Sequence, residues 1–128
     1  MIMIMNIDDL FDLTSTCLSV LRVEHIMLAK LILSMVKGEV NCSRLVRVLG
    51  SHIEKEGRVL SKYGVTINSM QTLSRLHGEL YELCLEGRVS KQILTELLRV
   101  IKDHDDELAL IMSKLINEYF TSVINEAH

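Results

Sequence analysis

LSVLRVEHIMLAKLILSM, residues 18–35, carries the pattern that decides the fold. Leu18, Leu21, His25, Leu28, Ile32 and Met35 follow one another in steps of 3, 4, 3, 4 and 3. That spacing places all six side chains on one stripe of an α-helix, the kind of seam that faces the inside of a helical bundle. One position on the stripe, His25, is not aliphatic.

Working outward, three more segments repeat the arrangement. Leu45, Leu49, His52, Glu56, Val59 and Tyr63 form a second stripe, Met70, Leu73, His77, Leu80 and Cys84 a third, and Ile93, Leu97, Val100, His104, Glu107 and Ile111 a fourth. Each carries one histidine. The first helix is predicted from about Asp8 to Lys37, ended by Gly38. The second starts near Asn41 or Ser43 and ends at Gly64. The third starts near Asn68 or Ser69 and is closed by Gly87. The fourth is capped by Ser90 and continues towards Ile124. Asn and Ser are good helix caps, and Gly tolerates the positive φ of a helix end. Lys37-Gly38-Glu39-Val40-Asn41 and Glu86-Gly87-Arg88-Val89-Ser90 echo each other before the second and fourth helices. The expectation is an all-α, antiparallel, up-down-up-down four-helix bundle. It forms one domain over residues 1–128, with its core at about 8–125.

The histidines at 25, 52, 77 and 104 are separated by 27, 25 and 27 residues. In an up-down-up-down bundle, residues equidistant from a turn share a height. The midpoints of the first two intervals fall at the turn signals Gly38-Glu39 and Gly64-Val65, and that of the third near Ser90. One imidazole per helix is therefore expected in a single layer. Glu56 follows His52 by one turn, and Glu107 follows His104 by one turn. Both leave the histidine layer in the same direction, about 5 Å along the axis. A buried carboxylate costs several kcal/mol unless paired or protonated, so two glutamates on apolar seams argue against a metal-free core. Four imidazoles with two carboxylates form a mixed nitrogen and oxygen donor set suited to iron, manganese or zinc. The metal ligands expected are His25, His52, Glu56, His77, His104 and Glu107.

Composition bounds the alternatives. The chain has 128 residues, no proline and 4% aromatics, which favours long helices over sheets. Net charge is −3 with no basic stripe, so no nucleic-acid partner is expected. Met1-Ile2-Met3-Ile4-Met5 is too short to cross a membrane and lacks the basic flank of a signal peptide. No membrane association is expected. Cys17, Cys42 and Cys84 are odd in number and scattered, and read as free thiols of a reducing, cytoplasmic compartment. A mean hydropathy of +0.26 points to a buried homo-oligomer interface.

Glu24-His25, His52-x-x-x-Glu56, His77 and His104 resemble the hemerythrin-like, or HHE cation-binding, family over roughly Leu18 to Ile116. The resemblance implies a four-helix bundle around two non-haem irons, bridged by two carboxylates and an oxo or hydroxo group. Oxygen-carrying members have a second histidine one turn before that of the third helix; here the position is Leu73. The chain is thus more similar to the six-ligand variants, such as the iron-sulfur cluster repair proteins. The family's fourth-helix carboxylate follows its histidine by four or five residues. Here those positions are Leu108 and Ala109. Glu107 holds the seam register and replaces it, with Asp103 as second choice. This departure bears on one bridge and on the second metal, so that a single metal is the alternative.

The function expected is that of a di-iron protein, a binder or sensor rather than an enzyme, which takes O₂, NO or peroxide or handles iron. Two rivals stand beside it. One is a metal-free helical interaction module with the Met-rich amino terminus as partner surface. The other is a Mg²⁺-dependent all-α nucleotide pyrophosphohydrolase using Glu79, Glu82, Asp105 and Asp106, whose spacing lacks the paired E-x-x-E and E-x-x-D helices. No nucleotide-binding or zincin motif occurs.

Overall fold

A computed structural model describes residues 5–128. The Met-rich start, Met1 to Ile4, lies outside the described residues. The described chain is helical and has no strand. Helix α1 (Ile7–Asp12) runs through a π-helical turn (Leu13–Cys17) into α2 (Leu18–Val36). Three more helices follow: α3 (Cys42–Lys62), α4 (Ser69–Leu85) and α5 (Lys91–Ala127). Helix α2 packs on α3 and α5, and α4 packs on the same two, so the four long elements close a ring.

The helix ends form where the sequence signals place them. Asn41 accepts the Arg44 N–H at 3.0 Å, and Ser90 accepts the Ile93 N–H at 3.3 Å. Gly38, Gly64 and Gly87 all adopt positive φ. Behind each, the next N–H reaches back five residues, from Glu39 to Ser34, Val65 to Leu60 and Arg88 to Leu83, each at 2.9 Å. This closure satisfies carbonyls that the helix end leaves free.

The first helix hides a register change. Leu10, Leu13, Leu18, Leu21 and His25 are all buried, with a step of five between 13 and 18. The π turn absorbs the extra residue. Side chains in and just after it hold the widened backbone: the Thr14 hydroxyl donates to the Leu10 carbonyl at 2.7 Å, and the Ser19 hydroxyl of α2 to that of Thr14 at 3.0 Å.

The core is two aliphatic clusters with a polar layer between them. One contains Leu10, Leu13, Leu21, Leu60, Leu108 and Leu115; the other contains Leu28, Ile32, Leu49, Leu73, Leu97 and Ile101. Along α2, α3 and α5 the change of cluster falls at His25, at His52 and Glu56, and at His104. On α5 the buried series is Leu94, Leu97, Ile101, His104, Leu108 and Leu115. The seam therefore takes Leu108, four residues after His104, and Glu107 turns to the flank. Steps of three and four are equally compatible with a seam, so the residues around His104 alone did not decide between them.

His77 is also displaced from the expected layer. Helix α4 buries Leu73, Leu76 and Leu80, which rotates His77 off the seam. Its imidazole lies over Gly50 and Nε2 reaches the Val46 carbonyl at 3.0 Å, so His77 sits at the height of Val46 and Gly50 rather than of His52. One more expectation fails. Cys42 and Cys84 are joined in a disulfide between the start of α3 and the end of α4, with 5.8 Å between their Cα atoms. Only Cys17 is free. The cysteines are distant in sequence but neighbours in space, and they no longer argue for a reducing compartment. Among the described residues, no helix is long and apolar enough to cross a membrane.

Two outcomes follow from the α3–α4 contact. A Cβ on Gly50 would lie 2.8 Å from His77 Nε2. Gly50→Ala should therefore destabilise the protein, because displacing the imidazole costs about 1–3 kcal/mol against a helix-propensity gain of about 1 kcal/mol. In a His77→Ala background the same change should stabilise by up to about 1 kcal/mol. Urea midpoints of the four proteins read this, and equal effects in both backgrounds would refute the contact. Reduction of the disulfide, which closes a loop over a sequence separation of 42, should cost about 2–4 kcal/mol. A urea midpoint unchanged by dithiothreitol would show that the bond adds nothing to the folded state.

Candidate metal centre

The polar layer consists of His25 from α2, His52 and Glu56 from α3, and His104 from α5. All four side chains are buried, and Glu56 and His104 have no exposed surface. One donor atom from each lies within 4.8 Å of the others. The i, i+4 spacing of His52 and Glu56 turns both inward from one face of α3. The His25 ring stands edge-on to His52 and to His104, with centroids 4.8 and 5.0 Å apart.

Glu56 is the centre of the group. Its Oε1 lies 2.6 Å from His104 Nε2 and 3.6 Å from His52 Nε2, and its Oε2 lies 3.3 Å from His25 Nε2. Burial opposes ionisation of this carboxyl, but the three imidazoles outweigh it and hold the group far below the usual carboxylate range. Glu56 is a buried anion.

The other nitrogen of each ring is tied outward. His25 Nδ1 lies 2.7 Å from Asp105 Oδ1 on α5, and Asp105 also takes the Arg22 guanidinium in two bonds of 3.1 and 2.9 Å. His52 Nδ1 lies 2.8 Å from Glu24 Oε1 on α2, whose other oxygen accepts from Lys55. His104 Nδ1 lies 2.6 Å from the Ser69 hydroxyl, which donates to Glu107 Oε1 at 2.6 Å. Burial raises the Asp105 and Glu24 carboxyls, but their cationic partners prevail and lower both. Burial lowers the His52 imidazole, while Glu56 and Glu24 reverse this and raise it.

These partners set the tautomers. A carboxylate can only accept, so His25 and His52 each hold a proton on Nδ1, and as neutral rings, the form that binds a metal, they present bare Nε2 lone pairs to the centre. Ser69 spends its one proton on Glu107 and so accepts from His104 Nδ1. His104 Nε2 then faces Glu56 Oε1 across 2.6 Å, a separation that needs a proton between the two atoms. The two remaining nitrogens and Glu56 Oε2 have no hydrogen-bond partner at all. Three orphaned buried polar atoms, each costing about 1–3 kcal/mol, point at one another.

A cation resolves this arrangement. It would accept the lone pairs of all four groups and replace the proton between His104 and Glu56. Metal–nitrogen and metal–oxygen bonds of about 2.0–2.2 Å put opposed donors at most about 4.4 Å apart. The outward carboxylates on His25 and His52 are the support found behind histidine ligands of metals. The residues present thus fit a metal with three nitrogen donors and one oxygen donor.

Of the six expected ligands, His25, His52, Glu56 and His104 come together. His77 and Glu107 are used elsewhere, His77 on the Val46 carbonyl and Glu107 on Ser69 and the amides of Asn68 and Ser69. The second choice on helix α5, Asp103, is exposed and takes no part. Sequence reading missed three supporting residues: Glu24, Asp105 and Ser69. Two of them carried a signal. Glu24 precedes His25, and Asp105 follows His104. One residue turns a helix by about 100°, so each carboxylate faces the neighbouring helix and supports that helix's histidine, not its own neighbour.

Comparison of the chain with family models, with curated proteins and with solved structures found no match. The centre is therefore read from its own chemistry. Asp105→Asn should weaken Zn²⁺ binding by about 10- to 100-fold, the usual cost of losing such a support. Competition against a chromophoric chelator measures it, and an affinity within twofold of wild type would place Asp105 outside the site's function.

Proposed function

We propose that this chain is a non-haem metal-binding protein with an antiparallel bundle of hemerythrin type, holding one metal ion in the centre formed by His25, His52, Glu56 and His104. The observation that carries the reading is the set of bare buried atoms, His25 Nε2, His52 Nε2 and Glu56 Oε2, aimed at one point. Iron is the metal favoured, with manganese and zinc as chemically compatible alternatives. A di-iron centre is the weaker reading, because His77 and Glu107 are both engaged in other bonds.

A metal here supplies a Lewis-acidic and, for iron, redox-active position for a small ligand. The protein's own residues do the rest. Glu24 and Asp105 fix the rings of His52 and His25. Leu28, Leu49, Leu73, Leu97 and Ile101, all buried on one side of the layer, exclude water. Helix α4 contributes no ligand, and its Leu73 leaves one side of the centre aliphatic. A groove of ≈ 490 Å³ between α2 and α3 has His52 in its lining, with Met27, Leu28 and Val48. This groove is the approach proposed for a small ligand such as O₂ or NO, or a peroxide. Binding or sensing such a ligand is the role proposed, rather than turnover. Exposed Val23, Ile26 and Met27 on α2 and Phe120 and Ile124 on α5 support self-association.

The pyrophosphohydrolase reading gains nothing from the fold. Glu79 is paired with Arg75, Asp106 with Lys102, and Asp105 with Arg22 and His25. The metal-free interaction module leaves Glu56 and its orphaned neighbours without a reason.

Protein made in iron-replete cells is expected to contain about one iron per chain, and His25→Ala or Glu56→Ala to contain none. Saturating metal at a hundred times its dissociation constant should add about 2.7 kcal/mol of stability. Two irons per chain would restore the di-iron reading. No uptake of iron, manganese, cobalt or zinc would leave the interaction module.

A further inference from the structure

The three imidazoles are not held alike. His25 and His52 each meet a carboxylate directly, and each carboxylate is neutralised by a cation at the surface. His104 meets a neutral hydroxyl, and the carboxylate behind it, Glu107, has no cationic partner among the described residues. Glu107 instead accepts the N–H of Asn68 at 2.8 Å and that of Ser69 at 3.1 Å. Burial raises its carboxyl, but the Ser69 hydroxyl and these two amides prevail and lower it. Helix α4 has no cap of its own, since Asn68 is in the helical region and its side chain makes no capping bond. A glutamate on α5 is the N-terminal cap of α4, where a negative charge also meets the positive end of the helix dipole.

On the metal reading above, we infer that Ser69 and Glu107 form a positioning relay that fixes the tautomer of His104 and couples the first turn of α4 to the centre. Ser69 has one proton. Glu107, with the amides of Asn68 and Ser69 already in its grasp, takes that proton and leaves the Ser69 oxygen as an acceptor. His104 must then carry its proton on Nδ1, and its Nε2 is the atom left to donate a lone pair. The proton that bridges Nε2 and Glu56 Oε1 at 2.6 Å is then a second proton, one that an entering metal displaces. Without the hydroxyl the ring's single proton can itself occupy Nε2 and make that bridge, and a metal must then move it to an Nδ1 that has no acceptor. The relay runs in both directions. A metal that holds His104 in place also holds Ser69, and through it the first turn of α4, the helix that supplies no ligand.

Ser69→Ala separates the relay from the cap, because it removes the hydroxyl and keeps both backbone bonds to Glu107. Co²⁺ is the probe, read by its visible absorption and by competition with a chelator. Ser69→Ala is expected to weaken Co²⁺ binding about 10-fold or more and to alter the absorption envelope. Ser69→Thr should restore both, and Glu107→Gln should fall between. In metal-free protein, ¹⁵N–¹H correlation of the imidazoles should show the His104 Nδ1 proton in wild type and Ser69→Thr, and its loss in Ser69→Ala. A purely structural Ser69 would lower the melting temperature and leave the Co²⁺ affinity and His104 resonances unchanged, which overturns the relay. Failure of wild type to bind Co²⁺ at all counts against the metal reading. The imidazole spectra then decide the relay by themselves.

Discussion

The Glu56 carboxylate is the constraint around which the rest of the molecule is arranged. An ionised carboxyl with no exposed surface, lodged between two aliphatic clusters, is among the most costly groups a small core can hold. The short hydrogen bond with His104 offsets part of that cost, and the three imidazoles around the carboxylate bring costs of their own, because each has a second nitrogen that must also be satisfied. The solution is alternation. Moving outward from Glu56, the chain meets His25, then Asp105, then Arg22. On another side it meets His52, then Glu24, then Lys55. Acceptor and donor alternate until the series ends in a solvated cation. Each series crosses between helices, so the polar layer also ties α2 to α3 and α2 to α5.

What remains unsatisfied is as informative as what is satisfied. A structural network can close on itself, and buried networks that do so specify a unique core. This one stops short, with two ring nitrogens and one carboxylate oxygen bare and convergent. The tautomers imposed from outside make those atoms lone-pair donors. The outer residues thus prepare the inner ones to bind something positively charged.

Helix α4 has a different task. It gives no ligand to the layer and instead closes the bundle. At its end Cys84 is bonded to Cys42. Midway, His77 fits over Gly50, where a missing side chain lets an imidazole approach the backbone of α3. At its start, Ser69 touches the centre and Glu107 completes its cap. A helix lacking its own cap is held at both ends by side chains from its neighbours.

The sequence by itself determined the number of long helices, their turns and the seams of the first two. Those features are local. A 3-4-3 repeat of aliphatic residues, an Asn or Ser before it and a Gly after it act within a few residues of one another. It also marked His25, His52, Glu56 and His104, because polar residues on an apolar stripe stand out without any knowledge of the fold. Only the tertiary structure decided which histidine joins the layer and which does not. Spacing along the chain gives height only if each turn is symmetric and each helix is rotated as assumed. In α4 the buried series 73, 76 and 80 turned His77 away, and in α5 the choice of Leu108 over Glu107 turned the glutamate to the flank. The same holds for the Cys42–Cys84 bond and for the supporting roles of Glu24, Asp105 and Ser69. Each depends on which side chain of a neighbouring helix stands opposite, and that is set by rotation and packing, which no local pattern encodes.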